Sequence, residues 1–404
     1  MTDRTRIAGE ASSLLAGSLV NGLAAYVFIA VGTRALGADA FAPVAVLWSF
    51  WAASAAVLTF PIQHWAIRRI EVEGGTGSVR ASLGRVAAWV AALTAAETAV
   101  AAVWAEDLFG EGGWFWPAAV AVLAVGSALL GLARGVLAGR GRYHAAAALI
   151  GGENLVRLAA GIAAVALSDD PRLLGVALLA GPLVVLAWPS VARLDAATAP
   201  GDLGLIGSAG AGILVSQVLL NGGPPLLAAV GGAEAEVTAL FATLAVFRAP
   251  YLVALGLSVR ATAPITRALE EGRAAEVRRS TLAGVAAGAL LAVGVVPAAW
   301  WLAPAVLEGL FGEGSRPAPE TAAAVAAGAV LALVALGLTV VLIARGSQVR
   351  VIATWSAGLG AAGVALAVAS ATQEGIAIAF AVGEGVAVGV GTVLALGGLS
   401  RRRA

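Results

Sequence analysis

The chain has 404 residues, 60% of them hydrophobic and 12% charged, with a mean hydropathy of +0.92 and a formal net charge of +1. A soluble domain carries about 25% charged residues, and a globule of this size lacks the interior to hide so much apolar surface. A water-soluble protein, a disordered chain, a collagen, a coiled coil and a disulfide scaffold are therefore excluded. What remains is an all-α polytopic membrane protein. Cysteine is absent and His64 and His144 are the only histidines. Thiol catalysis, thiolate metal sites and a His-rich metal centre are thereby removed.

A helix needs about 20 apolar residues to cross the hydrocarbon. On that rule twelve spans are predicted, near 11–32, 42–63, 86–104, 116–137, 145–167, 173–191, 205–230, 237–260, 281–302, 321–343, 349–369 and 376–396. No small-residue cleavage site follows the first span, which is therefore read as retained. Arginine, which supplies all 25 basic residues, sets the orientation. Placing the N-terminus inside puts 20 of them on inner segments, among them Arg4, Arg6, Arg68, Arg69, Arg134, Arg140, Arg142, Arg260, Arg401, Arg402 and Arg403. Arg34, Arg172 and Arg316 fall on outer loops, which carry mostly acids. This bias puts both termini in the cytoplasm and the protein in the cell membrane, a bacterial inner membrane by composition. Trp104, Trp114, Trp116, Trp300 and Trp301 stand at outer span ends, where an interfacial belt belongs.

The two halves repeat. Leu108-Phe109-Gly110-Glu111-Gly112 recurs as Leu310-Phe311-Gly312-Glu313-Gly314, and Asn21-Gly22 as Asn221-Gly222. Gly139-Arg140-Gly141 is echoed by Ala344-Arg345-Gly346, and Ile67-Arg68-Arg69 by Ile265-Thr266-Arg267. Near-constant offsets at equivalent topological places argue for duplication. Six spans per half, an even number, make the repeats parallel, with a pseudo-twofold axis along the membrane normal. The domains expected are an N-lobe over 1–192, a cytoplasmic linker over 193–204 and a C-lobe over 205–404.

Polar groups at membrane depth are costly and are functional candidates. Arg248 lies near the middle of the eighth span and is followed by Pro250, which loosens the helix. It suits forked recognition of phosphate in a central cavity, or pairs with a glutamate of another helix. Glu153 and Arg157, four apart in the fifth span, can pair within their helix. Glu97 in the third span and Glu384 in the twelfth lack an evident local partner. Each is a candidate for proton or ion coupling, or for an intramembrane ion pair. Gly17, Ser18, Asn21, Gly22 and Ala25 form a small-residue face on the first span. Gln217 and Asn221 precede Gly222-Gly223-Pro224-Pro225, which must bend the seventh span. His64, beside Pro61 and Gln63, reads as an interfacial residue.

Gly32-Thr33-Arg34-Ala35-Leu36-Gly37-Ala38-Asp39-Ala40-Phe41 resembles the segment between the first two spans of polysaccharide flippases in the multidrug/oligosaccharidyl-lipid/polysaccharide exporter superfamily. Leu137-Ala138-Gly139-Arg140-Gly141-Arg142-Tyr143, with Glu153-Asn154-Leu155-Val156-Arg157-Leu158 after it, is similar to a later segment of the same family. Arg248-Ala249-Pro250 and Ala263-Pro264-Ile265-Thr266-Arg267 look like its second-lobe counterpart. Ala42 stands where the family favours glycine, and Asn21 where drug exporters usually place an acid. The resemblance implies two six-helix lobes around a V-shaped cavity and export of a polyprenyl-pyrophosphate-linked oligosaccharide to the outer leaflet. It implies Arg248 and Arg34 as substrate contacts; Asn21, Gln217 and Asn221, polar residues at membrane depth, complete the candidate substrate-binding set, and pathway glycosyltransferases and a polymerase are the expected partners besides membrane lipids.

Two other functions stay open. A cation-coupled drug antiporter of the same fold, or of the major-facilitator type, is the alternative; Arg69-Ile70-Glu71-Val72-Glu73-Gly74-Gly75 does not match the signature of the latter. A membrane transferase is disfavoured because the first outer loop, 32–40, holds Asp39 as its one acid. Without lysine no Walker motif can be built, so no nucleotide cofactor is expected. Nor is a catalytic residue, a metal or a nucleic-acid partner.

Overall fold

The computed structural model describes the backbone of residues 3–200 and 204–397, and the side chains of all these but 3–11, 73, 204–211, 256–261 and 263. Arg4, Arg6, Arg260, Arg401, Arg402 and Arg403, which weigh in the orientation above, lie outside the described side chains. The described residues form helices and turns, with no strand. Among the described residues nine helices are long and apolar enough to cross a membrane, and the number rises to eleven when each of two bent helix pairs is taken as one span. The sixth predicted span, 173–191, falls on a shorter apolar stretch, Pro171–Ala187. The chain is a multi-pass membrane protein. It divides into two compact units, Met1–Gly210 and Ala211–Ala404.

Unit 1 begins with α1 (Asp3–Leu36) and α2 (Ala38–Ser54), the latter running through a π-turn (Ala55–Thr59) into α3 (Phe60–Glu73). Then come α4 (Gly77–Val103), the short α5 (Ala105–Phe109), α6 (Phe115–Gly139), α7 (Tyr143–Leu167) and α8 (Pro171–Leu179). Its core is built where α6 presses on the second span. Leu58, Ile62, Trp65 and Ala66 interleave with Ala124, Leu130, Ala133 and Leu137, all buried. A Cβ on Gly131 would lie 2.6 Å from the carbonyl oxygen of Thr59, so only glycine permits this approach. The Thr59 hydroxyl then donates to the carbonyl of Ser127 at 2.8 Å.

The predicted sixth span is not one helix. The α-helix stops at Leu179 and the chain continues as 3₁₀ turns over Gly181–Ala187 and Pro189–Ala192. Pro182 and Pro189 each lack the N–H that an α-helix needs and disfavour helical geometry in the residue before them.

The segment after it is clasped to the loop between α3 and α4. Asp195 accepts from the backbone N–H of Thr76 at 2.7 Å and from its hydroxyl at 2.8 Å, and the N–H of Asp195 donates back to that hydroxyl at 2.8 Å. Arg140 donates to the carbonyls of Ser190 and Arg193, at 2.9 and 2.5 Å, and Arg142 to the Ser190 hydroxyl at 2.8 Å. The Thr198 N–H reaches the carbonyl of Gly77 at 3.2 Å. Residues read from the sequence as linker are thus fastened to unit 1 as far as Thr198.

Unit 2 holds α9 (Gly204–Asn221), α10 (Gly223–Ala229), α11 (Glu234–Phe247), α12 (Ala249–Glu270), α13 (Ala274–Phe311), α14 (Pro319–Ala344), α15 (Gln348–Ala369) and α16 (Gln373–Leu396). Both predicted weak points are bends: 61° between α9 and α10, at Gly222 before Pro224-Pro225, and 47° between α11 and α12, at Arg248 before Pro250. The buried α14 is the hub, with Ala322, Val325, Ala326, Ala332 and Leu342 wholly or almost wholly enclosed. The α15 and α16 backbones touch at Gly358 and Gly383, where a Cβ on Gly358 would stand 2.8 Å from the Gly383 carbonyl oxygen.

The sequence repeat is visible as local geometry. After α6 the N–H of Gly141 bonds to Ala138 and that of Arg142 to Leu137; after α14 the N–H of Gly346 bonds to Ile343 and that of Ser347 to Leu342. Gly141 and Gly346 have φ of 71° and 66°, the left-handed cap that glycine takes without strain. Gly110 and Gly312 likewise end α5 and α13, their N–H groups bonded to Glu106 and Glu308 at 2.9 and 2.8 Å.

Two sequence expectations are corrected. Trp114, Trp300 and Trp301 are exposed and Trp104 is too, as a belt requires, but Trp116 is buried and stacks on Phe109 with centroids 5.4 Å apart. The packing face of α1 carries Gly17 and Asn21, together with Ala24 and Phe28. Gly17 abuts the backbone of Ala147, whereas Ser18 is exposed and a Cβ on Gly22 would meet open space.

Candidate functional site

Among the described residues, three groups of charged and amide side chains lie within the apolar helices, two in unit 1 and one in unit 2. The first is a knot between α6 and α7. Glu153 and Arg157 pair as their spacing predicts, with 2.6 Å between Oε1 and Nη1. Arg134 of α6 pairs with the second carboxylate oxygen. All three are buried, at 7% exposure for Arg134, 3% for Glu153 and 0% for Arg157. Arg157 further donates to the carbonyl of Leu178 at 3.0 Å and to Asn154 Oδ1 at 2.7 Å. Asn154 in turn donates to the Asn21 carbonyl at 3.1 Å, tying α7 to α1. The Arg157 guanidinium lies over the Trp51 ring, 4.2 Å from its centroid, a cation–π contact. A Cβ on Gly181 would come within 2.5 Å of this guanidinium, so the turn after α8 closes over the knot.

Two guanidiniums therefore share one carboxylate, which leaves a surplus positive charge in a buried place. Nε of Arg134 and Nη2 of Arg157 are enclosed donors without a partner. Arg134 was placed by sequence among the cytoplasmic arginines. Its position inside the predicted 116–137 span, three residues from the end, was the signal for its burial.

The second group lies between the second and third spans. Glu97 of α4, half-buried, accepts from the hydroxyl of Ser54, the last residue of α2, at 2.5 Å. The sequence showed no partner for Glu97; the partner comes from a different helix, 43 residues away, which spacing cannot reveal.

The third group surrounds the two bends of unit 2. Arg248 occupies the break between α11 and α12, 8% exposed. It donates to the carbonyls of Leu244 and Leu220, at 3.1 and 2.8 Å, and to Oδ1 of Asn221. The Asn221 amide then donates to Gln217 Oε1 at 2.8 Å. The bend in one span thus supplies carbonyls and an amide to the arginine standing at the bend of the next. Tyr251, one turn on from Arg248, is buried beside the side chains of Ser216 and Gln217. Glu384 of α16 is fully enclosed, and both of its carboxyl oxygens lack a hydrogen-bond partner. Arg248, Asn221 and Gln217 are brought together as expected. Arg34 stands apart, exposed in the last turn of α1. Asn21 joins the first group through its backbone, its side-chain oxygen enclosed and without a partner.

No protein-family model matches this chain, and no curated protein matches it by sequence. Solved structures do resemble it. The inward-facing conformation of a multidrug resistance MATE family transporter of the MOP superfamily has a TM-score of 0.71 at 16% identity, covering 95% of this chain and 96% of that one. An outward-facing conformation of such a transporter gives 0.64 at 15% identity, covering 97% and 96%. A MOP superfamily transporter from Pyrococcus furiosus, described as having a binding pocket of reversed polarity, gives 0.51 at 14%, covering 98% and 95%. At such identities the likeness defines the fold: this is a multi-pass, all-helical membrane protein with the fold of MATE transporters.

Proposed function

We propose that the chain is an alternating-access transporter that flips a polyprenyl-pyrophosphate-linked oligosaccharide from the inner to the outer leaflet of a bacterial cytoplasmic membrane. The observation that carries this reading is the surplus of buried guanidinium charge around Glu153, with Nε of Arg134 and Nη2 of Arg157 still unmatched. Diphosphate oxygens suit arginine donors in both charge and fork geometry. Arg248, already committed to carbonyl and amide oxygens, is the corresponding anion-binding group of unit 2. Asn21, Gln217 and Asn221 would orient the headgroup or sugar, and Arg34 would meet it at the outer end of α1. The lipid tail stays among the acyl chains. Glycosyltransferases that make the substrate and a polymerase that consumes it are the partners such a role requires. No chemical step is assigned to the protein.

A cation-coupled drug antiporter is the second reading, favoured by the multidrug resistance transporters among the structural neighbours and by the unpartnered Glu384 carboxyl. Reconstituted vesicles separate the two. A fluorescent polyprenyl-pyrophosphate glycan should become accessible to an impermeant quencher on the opposite face, and Arg248→Ala should slow this at least tenfold. Undiminished flipping in Arg248→Ala removes that arginine from the mechanism. Transport of ethidium without movement of the lipid-linked glycan supports the antiporter instead.

A further inference from the structure

Among the described residues, the carbonyls of Leu178 and Leu220 each take a hydrogen bond from an arginine of another span, and both stand four residues before a proline. In an α-helix the carbonyl of residue i accepts from the N–H of residue i+4, and proline has none to give. Pro182 thereby frees the carbonyl of Leu178, to which Nε of Arg157 donates at 3.0 Å. Pro224 frees the carbonyl of Leu220, to which Nη1 of Arg248 donates at 2.8 Å. Each guanidinium also donates to an asparagine side-chain oxygen, that of Asn154 for Arg157 and that of Asn221 for Arg248. Leu178 and Leu220 are both buried. At both places the span breaks its course: by 61° between α9 and α10, and from α-helix to 3₁₀ turns after Leu179.

The surroundings are shaped to these contacts. A Cβ on Gly181 would come within 2.5 Å of Nε of Arg157, so the residue just before Pro182 leaves room for the guanidinium. Pro182 is itself seated on α6, where a Cβ on Gly126 would run into its ring. In unit 2, Arg248 stands at the 47° bend between α11 and α12 and donates to the Leu244 carbonyl of its own span at 3.1 Å. One side chain thus ties two bends together. A buried carbonyl left without a donor is costly, and in a bilayer the replacement has to come from protein. We propose that Arg157 and Arg248 are the latches of two proline hinges, each holding the break in a neighbouring span through the carbonyl that the proline leaves free. Such a latch opens when the guanidinium meets a stronger acceptor, and charged oxyanion oxygens are stronger acceptors than amide carbonyls. On the proposed function, on which this consequence alone rests, a diphosphate engaging the arginines would release both breaks and turn loading into helix movement.

The test needs no transport substrate, so its failure and that of the proposed function are distinguishable. The chain has no cysteine, so spin labels can be carried on cysteines placed at the exposed Leu214 and Val230, on either side of the 61° bend, in the full chain in nanodiscs. At the rise of an α-helix, straightening this span would lengthen their separation by about 3 Å. The wild type should give one narrow distance. Arg248→Met should broaden it, because the bend has lost its latch. Adding Pro224→Ala and Pro225→Ala to Arg248→Met should narrow it again at a longer distance, since the N–H of residue 224 then serves Leu220; Pro225 is replaced as well because its ring would keep the helix broken. Melting supplies the counterpart in unit 1: Arg157→Met should lower the melting temperature by at least about 2 °C more with Pro182 in place than in Pro182→Ala. Equal losses with and without the proline overturn the proposal, as does a label distance that Arg248→Met leaves unchanged. Where the methionine variant fails to fold, Pro224→Ala with Pro225→Ala and Arg248 intact takes its place: its labels should move apart, and an unchanged distance overturns the proposal.

Discussion

Glu153→Gln is the sharpest single perturbation of this interior. It removes the one carboxylate among the described residues within ion-pair distance of Arg134 and Arg157 and leaves two buried cations facing an uncharged amide. Breaking a buried ion pair by deleting one partner costs about 3–5 kcal/mol, because the remaining charge stays desolvated. Unit 1 spans Met1–Gly210, a size at which each kcal/mol lowers the melting temperature by about 2–4 °C. The expected fall is therefore about 6–20 °C, read by thermal unfolding of the purified protein. Arg134→Met supplies the control. It leaves Glu153 and Arg157 as a neutral pair at 2.6 Å and removes the surplus charge, so it should cost less than Glu153→Gln. A Glu153→Gln protein melting within about 2 °C of wild type, or an Arg134→Met protein melting below it, would refute the charge count on which the anionic-substrate reading rests.

Two further outcomes follow from the packing and the clasp. Gly131→Ala forces a Cβ to 2.6 Å from the Thr59 carbonyl, backbone that cannot step aside; overpacking of this kind costs about 1–3 kcal/mol, measurable as a lower melting temperature. The Asp195 carboxyl is held below the usual carboxylate range by hydrogen bonds from the Thr76 backbone and hydroxyl. A depressed carboxyl stabilises the folded form above its unfolded value of about 3.9 and loses that contribution as pH falls through the folded one. Amide exchange at Thr76 and Asp195, corrected for intrinsic rates, should thus keep its protection from pH 8 to about 5 and lose it only below about 4. Asp195→Asn should lower that protection across the whole range.

Much of the architecture was legible because the membrane imposes it. Apolar length located the spans, Gly222-Gly223-Pro224-Pro225 located one bend and Arg248-Ala249-Pro250 the other, and the spacing of Glu153 and Arg157 gave their pair. These are local properties, written within one turn or one span. Contacts between spans were not legible. Arg134 joins Glu153 from a neighbouring helix, Ser54 reaches Glu97 across 43 residues, and Asp195 clasps Thr76 across 119. The π-turn at Ala55–Thr59 has no sequence signal of its own; α6 presses against its last residue, Thr59, through Gly131. The sixth span misled because hydropathy is indifferent to proline, whereas the helix is not.

The paired glycine caps explain why the two halves read alike at their helix ends. A left-handed φ near 70° at Gly141 and Gly346 is a demand of backbone sterics, and almost any other residue would meet it at a cost. The same stop signals can therefore stand at the helix ends of both halves while the interiors differ, one carrying Arg134, Glu153 and Arg157 and the other Arg248, Asn221 and Glu384. In a chain whose spans are written mostly in alanine, glycine, valine and leucine, the likeness of the halves is kept in the punctuation.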